Sequence, residues 1–239
     1  MFLNPAMEAA LDRITARADD VRRAFTPGSA PRSSDAASTS PGSDVTLDPL
    51  SVSAPADAYF LVRSADGRTA YTRNGVFSMR DGELVDAGGR NVLGISASGG
   101  VEPVRADPVD VALRRSSAYS IAQDGTLSYE RTAIDPRTGA RIVQRVNAGQ
   151  LCLARFPAGS ALASLDGTLL DAPAGVVPHR GLPGDGNFAS LLPMRRERSH
   201  VDLDTSLVKL KEAYVAFDAL QAAETARGKL SKTAMDLLK

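Results

Sequence analysis

Few side chains in this chain are equipped for covalent chemistry: one cysteine, Cys152, and two histidines, His179 and His200. A thiolate beside an imidazole base would make a nucleophile of the acyl-transfer kind. Neither a recognisable cysteine motif nor a helix start lies near Leu151-Cys152-Leu153, so Cys152 is expected to pack as a small apolar residue. The same three residues offer no zinc-ligand spacing, and a single cysteine closes no internal disulfide. Gly181-Leu182-Pro183-Gly184-Asp185-Gly186 has the glycine content of a phosphate loop, but it lacks the lysine and does not open a helix after a strand, so it reads as a turn. Arg195-Arg196-Glu197-Arg198 has few aromatics nearby and reads as a solvated run ahead of a helix rather than a nucleic-acid patch. Most acids fall in turns or on helix faces, so no carboxylate pair for acid and base work stands out. The expectation is a non-enzymatic chain with no catalytic residue, no cofactor and no metal ion.

Composition narrows the classes further. Lysine plus arginine and aspartate plus glutamate number 28 each, so no net field steers the chain toward nucleic acid or an anionic membrane. No stretch approaches the ~20 apolar residues of a membrane span, and insertion in a membrane is not expected. Glu8, Asp12, Arg13, Arg17, Asp19 and Asp20 interrupt any apolar core of a cleavable signal, so export is expected by a route that reads an uncleaved N-terminus. A chain of 239 residues can bury a sizeable core without staples.

Positioning falls to four segments. In residues 1–25, Leu3, Met7, Ala10, Ile14, Ala18, Val21 and Phe25 recur at steps of three or four and predict an amphipathic helix, stopped by Thr26-Pro27-Gly28. Residues 26–44 are dominated by Ser, Ala, Pro and Gly and predict a flexible linker, because they offer too little apolar surface to offset the entropy of ordering. Residues 45–193 carry short β-favouring runs separated by turns, among them five Asp-Gly pairs at Asp66, Asp81, Asp124, Asp166 and Asp185, and predict an all-β body of antiparallel hairpins. In residues 194–239, Leu203, Leu207, Leu210, Tyr214 and Phe217 alternate steps of four and three. Leu220, Leu230 and Leu237 continue a seam that drifts around the helix. A stripe this long needs a partner surface. Another subunit and the chain's own β body are the two choices, and the N-terminal helix is the nearest partner at hand.

The residues most telling of kinship are Tyr71-Thr72-Arg73-Asn74-Gly75, a corner in which Asn74-Gly75 supplies the turn. Thr69–Phe77, continued by Gly82-Glu83-Leu84-Val85 and Gly89-Arg90-Asn91-Val92-Leu93-Gly94, is similar to the signature YTRDGxF, G.LV, G..VLG of the bacterial flagellar basal-body rod and hook proteins, the axial family that includes the FlgF and FlgG rod subunits. Ala148–Phe156 resembles the family strand VGQIQLARF, and Ser199-His200-Val201-Asp202-Leu203 with Leu207–Leu210 and Glu212-Ala213-Tyr214 resembles its C-terminal helix. The likeness spans roughly Leu47 to Lys239. Two departures fit an atypical rod subunit or a diverged paralogue: Ala18–Gly28 keeps only Thr-Pro-Gly of the usual first-helix ending, and Pro55–Phe60 replaces the GDGFF turn.

The resemblance implies a mainly β middle domain with helical termini that pair as a coiled-coil-like assembly segment. It also implies a structural subunit exported through the flagellar type III apparatus, polymerised in the periplasmic rod and transmitting torque in motility. Its partners would be copies of itself, other rod and hook subunits and the export apparatus. Subunit contacts are expected at Leu203, Leu207, Leu210, Tyr214, Phe217, Leu220, Leu230 and Leu237, and at Leu3, Met7, Ile14 and Val21. A secreted β-rich binding or adhesive module derived from the same fold is the alternative.

Overall fold

The computed structural model describes residues 4–29, 31, 42–95, 99–160, 162–165 and 168–237. Leu3, the Asp166-Gly167 pair and residues 32–41 of the expected linker lie outside them. The described chain is mainly β, with a helix near its N-terminus and a long helix near its C-terminus. It divides into two units, one holding the helices with residues 4–25, 31 and 199–237, the other holding Thr26–Ser29 and 42–198.

In chain order the elements are α1 (Pro5–Arg23), β1 (Ser43–Val45), β2 (Val52–Ser53), β3 (Tyr59–Arg63), β4 (Thr69–Thr72), β5 (Phe77–Arg80) and β6 (Glu83–Asp86). β7 (Leu93–Ile95), β8 (Val101–Pro103), α2 (Pro108–Ala112), β9 (Ser116–Ile121), β10 (Thr126–Ile134) and β11 (Arg141–Leu151) follow. The chain continues through β12 (Leu153–Arg155), β13 (Ala163–Ser164), β14 (Leu169–Asp171), β15 (His179–Gly181), β16 (Leu192–Pro193), β17 (Arg195–Glu197) and α3 (Leu203–Leu237).

Two antiparallel sheets dominate the β unit, with strand orders β13-β14-β4-β3-β12-β15 and β8-β7-β11-β10-β9. β11 hands over to β12 across Cys152, so one stretch of chain serves both sheets. Strand periodicity builds the core. Phe60 and Val62 of β3 enter a large cluster with Phe77, Leu84, Leu127, Leu151, Leu153 and Phe188, while Leu61 between them faces a second cluster with Tyr71, Leu93, Cys152 and Ala154. Edge-to-face ring pairs fix both, Phe60 on Phe77 at 5.1 Å and Tyr71 on Phe156 at 4.8 Å between centroids. At the β5–β6 hairpin, Asp81 and Gly82 form a two-residue loop with φ of 51° and 82°, the conformation that Asp-Gly accepts most readily.

Helix ends follow their sequence signals. The Asn4 side chain accepts from the Ala6 N–H at 3.1 Å and Pro5 takes the first helical position, where no amide donor is needed. α3 opens where the Asp202 carboxylate accepts from the Thr205 N–H at 3.0 Å. Asn4 at the head of α1 bonds Glu224, and the Arg23 carbonyl at its foot accepts from the Ser199 hydroxyl at 2.8 Å, so α1 and α3 run antiparallel.

Two segments differ from the sequence reading. β1 begins at Ser43, inside the stretch expected to be linker, because residues 43–45 ladder onto Arg195–Glu197. The basic run is likewise no wholly solvated surface. It forms β17, with Glu197 buried, and the helix starts only at Leu203.

Candidate functional site

The Tyr71–Gly75 corner is built from its own side chains. The Thr72 hydroxyl accepts from the Asn74 N–H at 3.0 Å, and the Asn74 side-chain oxygen accepts from the Val76 N–H at 3.1 Å. Gly75 is required by close approach, since a Cβ there would stand 1.9 Å from the Val52 carbonyl oxygen. Arg73 turns inward. Its Nε and Nη2 donate to the two oxygens of Glu197, each at 2.8 Å, with the side chains only 7% and 2% exposed. Its Nη1 donates to the carbonyls of Pro55, Ala56 and Ala58 at 3.0, 2.8 and 2.7 Å, and the guanidinium lies over the Tyr59 ring. A buried charge held this closely by a carboxylate and three carbonyls is a fastening. Sequence reasoning placed Arg73 in a structural corner but named no partner. Glu197 lies 124 residues away and carries no local signal.

Other residues with chemical potential are also committed to structure. The Cys152 thiol is buried, and burial pushes its pKa up to about 11, opposite to what a nucleophile needs. His179 is exposed and stacks on Phe188. In the Gly181–Gly186 turn the Asp185 carboxylate accepts from the Phe188, Asn187 and Leu182 N–H groups at 3.0, 2.8 and 3.1 Å. Those amides hold the carboxyl below its ordinary range, Phe188 first, and are already spent, so the loop offers no cradle to phosphate. Tyr129 donates to the buried Asp110 carboxylate at 2.7 Å, and burial with this bond raises its pKa to about 12. Among the described residues no group of three or more His, Cys, Asp or Glu is placed to hold a metal ion. No described helix is long and apolar enough to cross a membrane.

The helical unit divides the expected stripe into a covered seam and uncovered residues. Met7, Ala10, Ile14 and Val21 on α1 are buried or half-buried, as are Ser206, Leu210, Ala213, Phe217, Leu220 and Glu224 on α3, whose steps of four and three make a heptad seam. Alanines 6, 9, 10 and 16 of α1 and 213 and 216 of α3 line an open groove along the pair. The remaining apolar residues are uncovered: Leu207, Tyr214 and Leu237 are 46%, 51% and 83% exposed, and Val208, Val215, Leu230 and Met235 are exposed with them. Leu203 is half-buried at the start of the helix. Past Glu224, where Asn4 marks the head of α1, every described residue of α3 is exposed.

The β unit carries the kinship. Residues 56–129 match the family model of the flagellar hook protein FlgE/F/G D1 domain, a span that runs from just before β3 into β10 and includes the whole corner. Over these residues the chain is similar to the flagellar FlgE/F/G D1 domain. This supports the flagellar rod/hook protein family and, with it, a structural role in the flagellar axis. No curated protein matches the chain.

Proposed function

We propose that this chain is a subunit of the bacterial flagellar basal-body rod, which self-assembles through its terminal helices and transmits torque. The observation that carries the reading is the uncovered apolar surface of α3. Leu207 and Tyr214 stand in solvent where α3 already packs on α1, and Leu230 and Leu237 stand in solvent past the end of that pairing. Exposed apolar surface of this extent on a long helix is the mark of a protein contact. A neighbouring copy or another rod or hook subunit would bury it, and the helices would then form the axial core while the β unit makes lateral contacts. Delivery to the periplasmic rod would be by the flagellar export apparatus.

The test is sedimentation of the full chain over a range of concentration, beside Leu207→Asp/Tyr214→Asp. Both positions are exposed, so the variant keeps its fold by circular dichroism while losing concentration-dependent assembly. Intact assembly in the variant would sink the reading. In the source bacterium, the chain should be found by mass spectrometry in purified basal bodies, and a strain lacking it should not swim.

A further inference from the structure

β10 and β11 run on past their neighbours. β9 ladders onto β10 as far as Arg131, the Thr132 N–H adds a bond to the Arg115 carbonyl at 3.0 Å, and β7 meets β11 only at Gln150 and Leu151, so among the described residues 133–134 and their partners 141–142 form a ribbon with no third strand. A lone two-stranded ribbon is marginal in water. Its register places Thr132 opposite Val143, Ile134 opposite Arg141 and Glu130 opposite Arg145 on one face. Ile134 and Val143 on that face are 67% and 65% exposed, an apolar pair flanked by two guanidinium groups. Arg145 is held in place by the Ser128 and Ser120 hydroxyls at 3.0 and 2.8 Å. Among the described residues Arg137 and Arg141 have no carboxylate partner within ion-pair distance. Asp135 at the tip is turned onto the Arg137 N–H at 2.8 Å. Residues 130–145 thus carry four arginines against two acids.

The opposite balance lies elsewhere on the β unit. Two shallow grooves share Arg105, Ala106 and Pro108 and join Asp81 and Glu83 to Glu102 and Asp107. Four acids line these grooves with Arg105 among them, Pro103 and Pro108 supply apolar surface, and the exposed Val109 follows Pro108 in the chain.

We propose that the β10–β11 ribbon of one copy docks its Ile134–Val143 face on the Asp81–Asp107 surface of the next copy. The inference rests on the self-assembly reading and names a second contact for it. Arg141 and Arg145 meet Glu102 and Asp107, while Ile134 and Val143 lie on the prolines and Val109. The two surfaces have no residue in common, so the contact is heterologous. Repetition of such a contact makes a ring or an open helical filament instead of a closed two-fold dimer.

The test measures the assembly threshold of the full chain by light scattering for Arg141→Glu, Glu102→Arg and the two combined, with Leu207→Asp/Tyr214→Asp in parallel. Each single charge reversal is expected to raise the threshold about 3- to 10-fold, and raised salt should do the same to the unaltered chain. The combined variant, which restores an opposite pair, should assemble at a lower threshold than either single one. Ile134→Asn, an exposed change that leaves the charge unaltered, should also raise the threshold. Ribbon variants that assemble like the unaltered chain, while the α3 variant fails, would overturn the docking and leave the helical reading standing. A combined variant no better than its singles would overturn it too. A chain that stays monomeric throughout would overturn both.

Discussion

Replacing Glu197 by alanine tests the central fastening of the β unit. The change removes both acceptors from Nε and Nη2 of Arg73 and leaves Nη1 on its three backbone carbonyls, so a guanidinium stays buried with its charge uncompensated. Breaking one partner of a buried pair costs about 3–5 kcal/mol. For a chain of this size each kcal/mol shifts Tm by about 2–4 °C, which puts the loss at roughly 6–20 °C. Differential scanning calorimetry of the full chain reads it, and because the chain has two units the transition of the β unit must be resolved separately. Glu197→Gln keeps the shape and one acceptor and should fall between alanine and the unaltered chain. Replacing both partners, as Arg73→Met with Glu197→Leu, removes the stranded charge but also the donor to the Pro55, Ala56 and Ala58 carbonyls, so it should recover only part of the loss. A Tm for Glu197→Ala within about 2 °C of the unaltered chain would refute the argument, because no such value fits a desolvated, unpaired guanidinium.

Gly75→Ala pushes a Cβ into the Val52 carbonyl and disturbs the Val52 N–H bond to the Gly75 carbonyl at 2.9 Å, with an expected loss of about 1–3 kcal/mol or more by urea unfolding. Gly228→Ala, where a Cβ in α3 meets open space, should instead gain about 0.5–1 kcal/mol. Tyr129 is neutral in the fold, with its pKa raised from 10.0 to about 12. Its contribution is therefore complete below pH 10 and lost as pH rises through 12, about 2–3 kcal/mol in all, and a pH series of unfolding beside Tyr129→Phe should show a steeper fall in the unaltered chain over that window.

Local signals made the hairpins and helices legible before the structure. Asp81-Gly82, with a positive φ at each residue, forms a two-residue turn that its dipeptide alone specifies. Asp124-Gly125 lies in the turn between β9 and β10, and apolar spacing marked α1 to within a few residues, while α3 opens at Leu203, nine residues into its expected segment. Partners distant in sequence were not legible. Arg195-Arg196-Glu197-Arg198 reads as a surface run because three of its four residues are basic, and only the fold brings Glu197 to Arg73. The uneven fate of the α3 stripe has a similar cause. Periodicity shows that Leu207, Leu210, Tyr214 and Phe217 belong near one side, but the position of α1 decides that Leu210 and Phe217 are half-buried while Leu207 and Tyr214 are exposed.

A buried ion pair is a weak source of net stability, so the choice of Arg73 and Glu197 over two apolar side chains calls for another reason. Register supplies one. β1 and β17 pair over three residues, Ser43 with Glu197, Asp44 with Arg196 and Val45 with Arg195, and the ladder alone would tolerate a slip of one residue. A slip would turn Glu197 to the other face and strand Arg73, a penalty far larger than the loss of a backbone bond or two. Arg198 closes on Asp44 at 2.6 Å and Arg195 on the Ser43 hydroxyl at 3.2 Å, and both also fit only this register. The pair therefore converts a short, weakly specified ribbon into one with a single alignment. Arg73→Met with Glu197→Leu, even where stability is partly recovered, should leave residues 42–46 and 194–198 with faster amide hydrogen exchange than in the unaltered chain. Unchanged protection there would mean that the register is set by the ladder and its outer arginines alone.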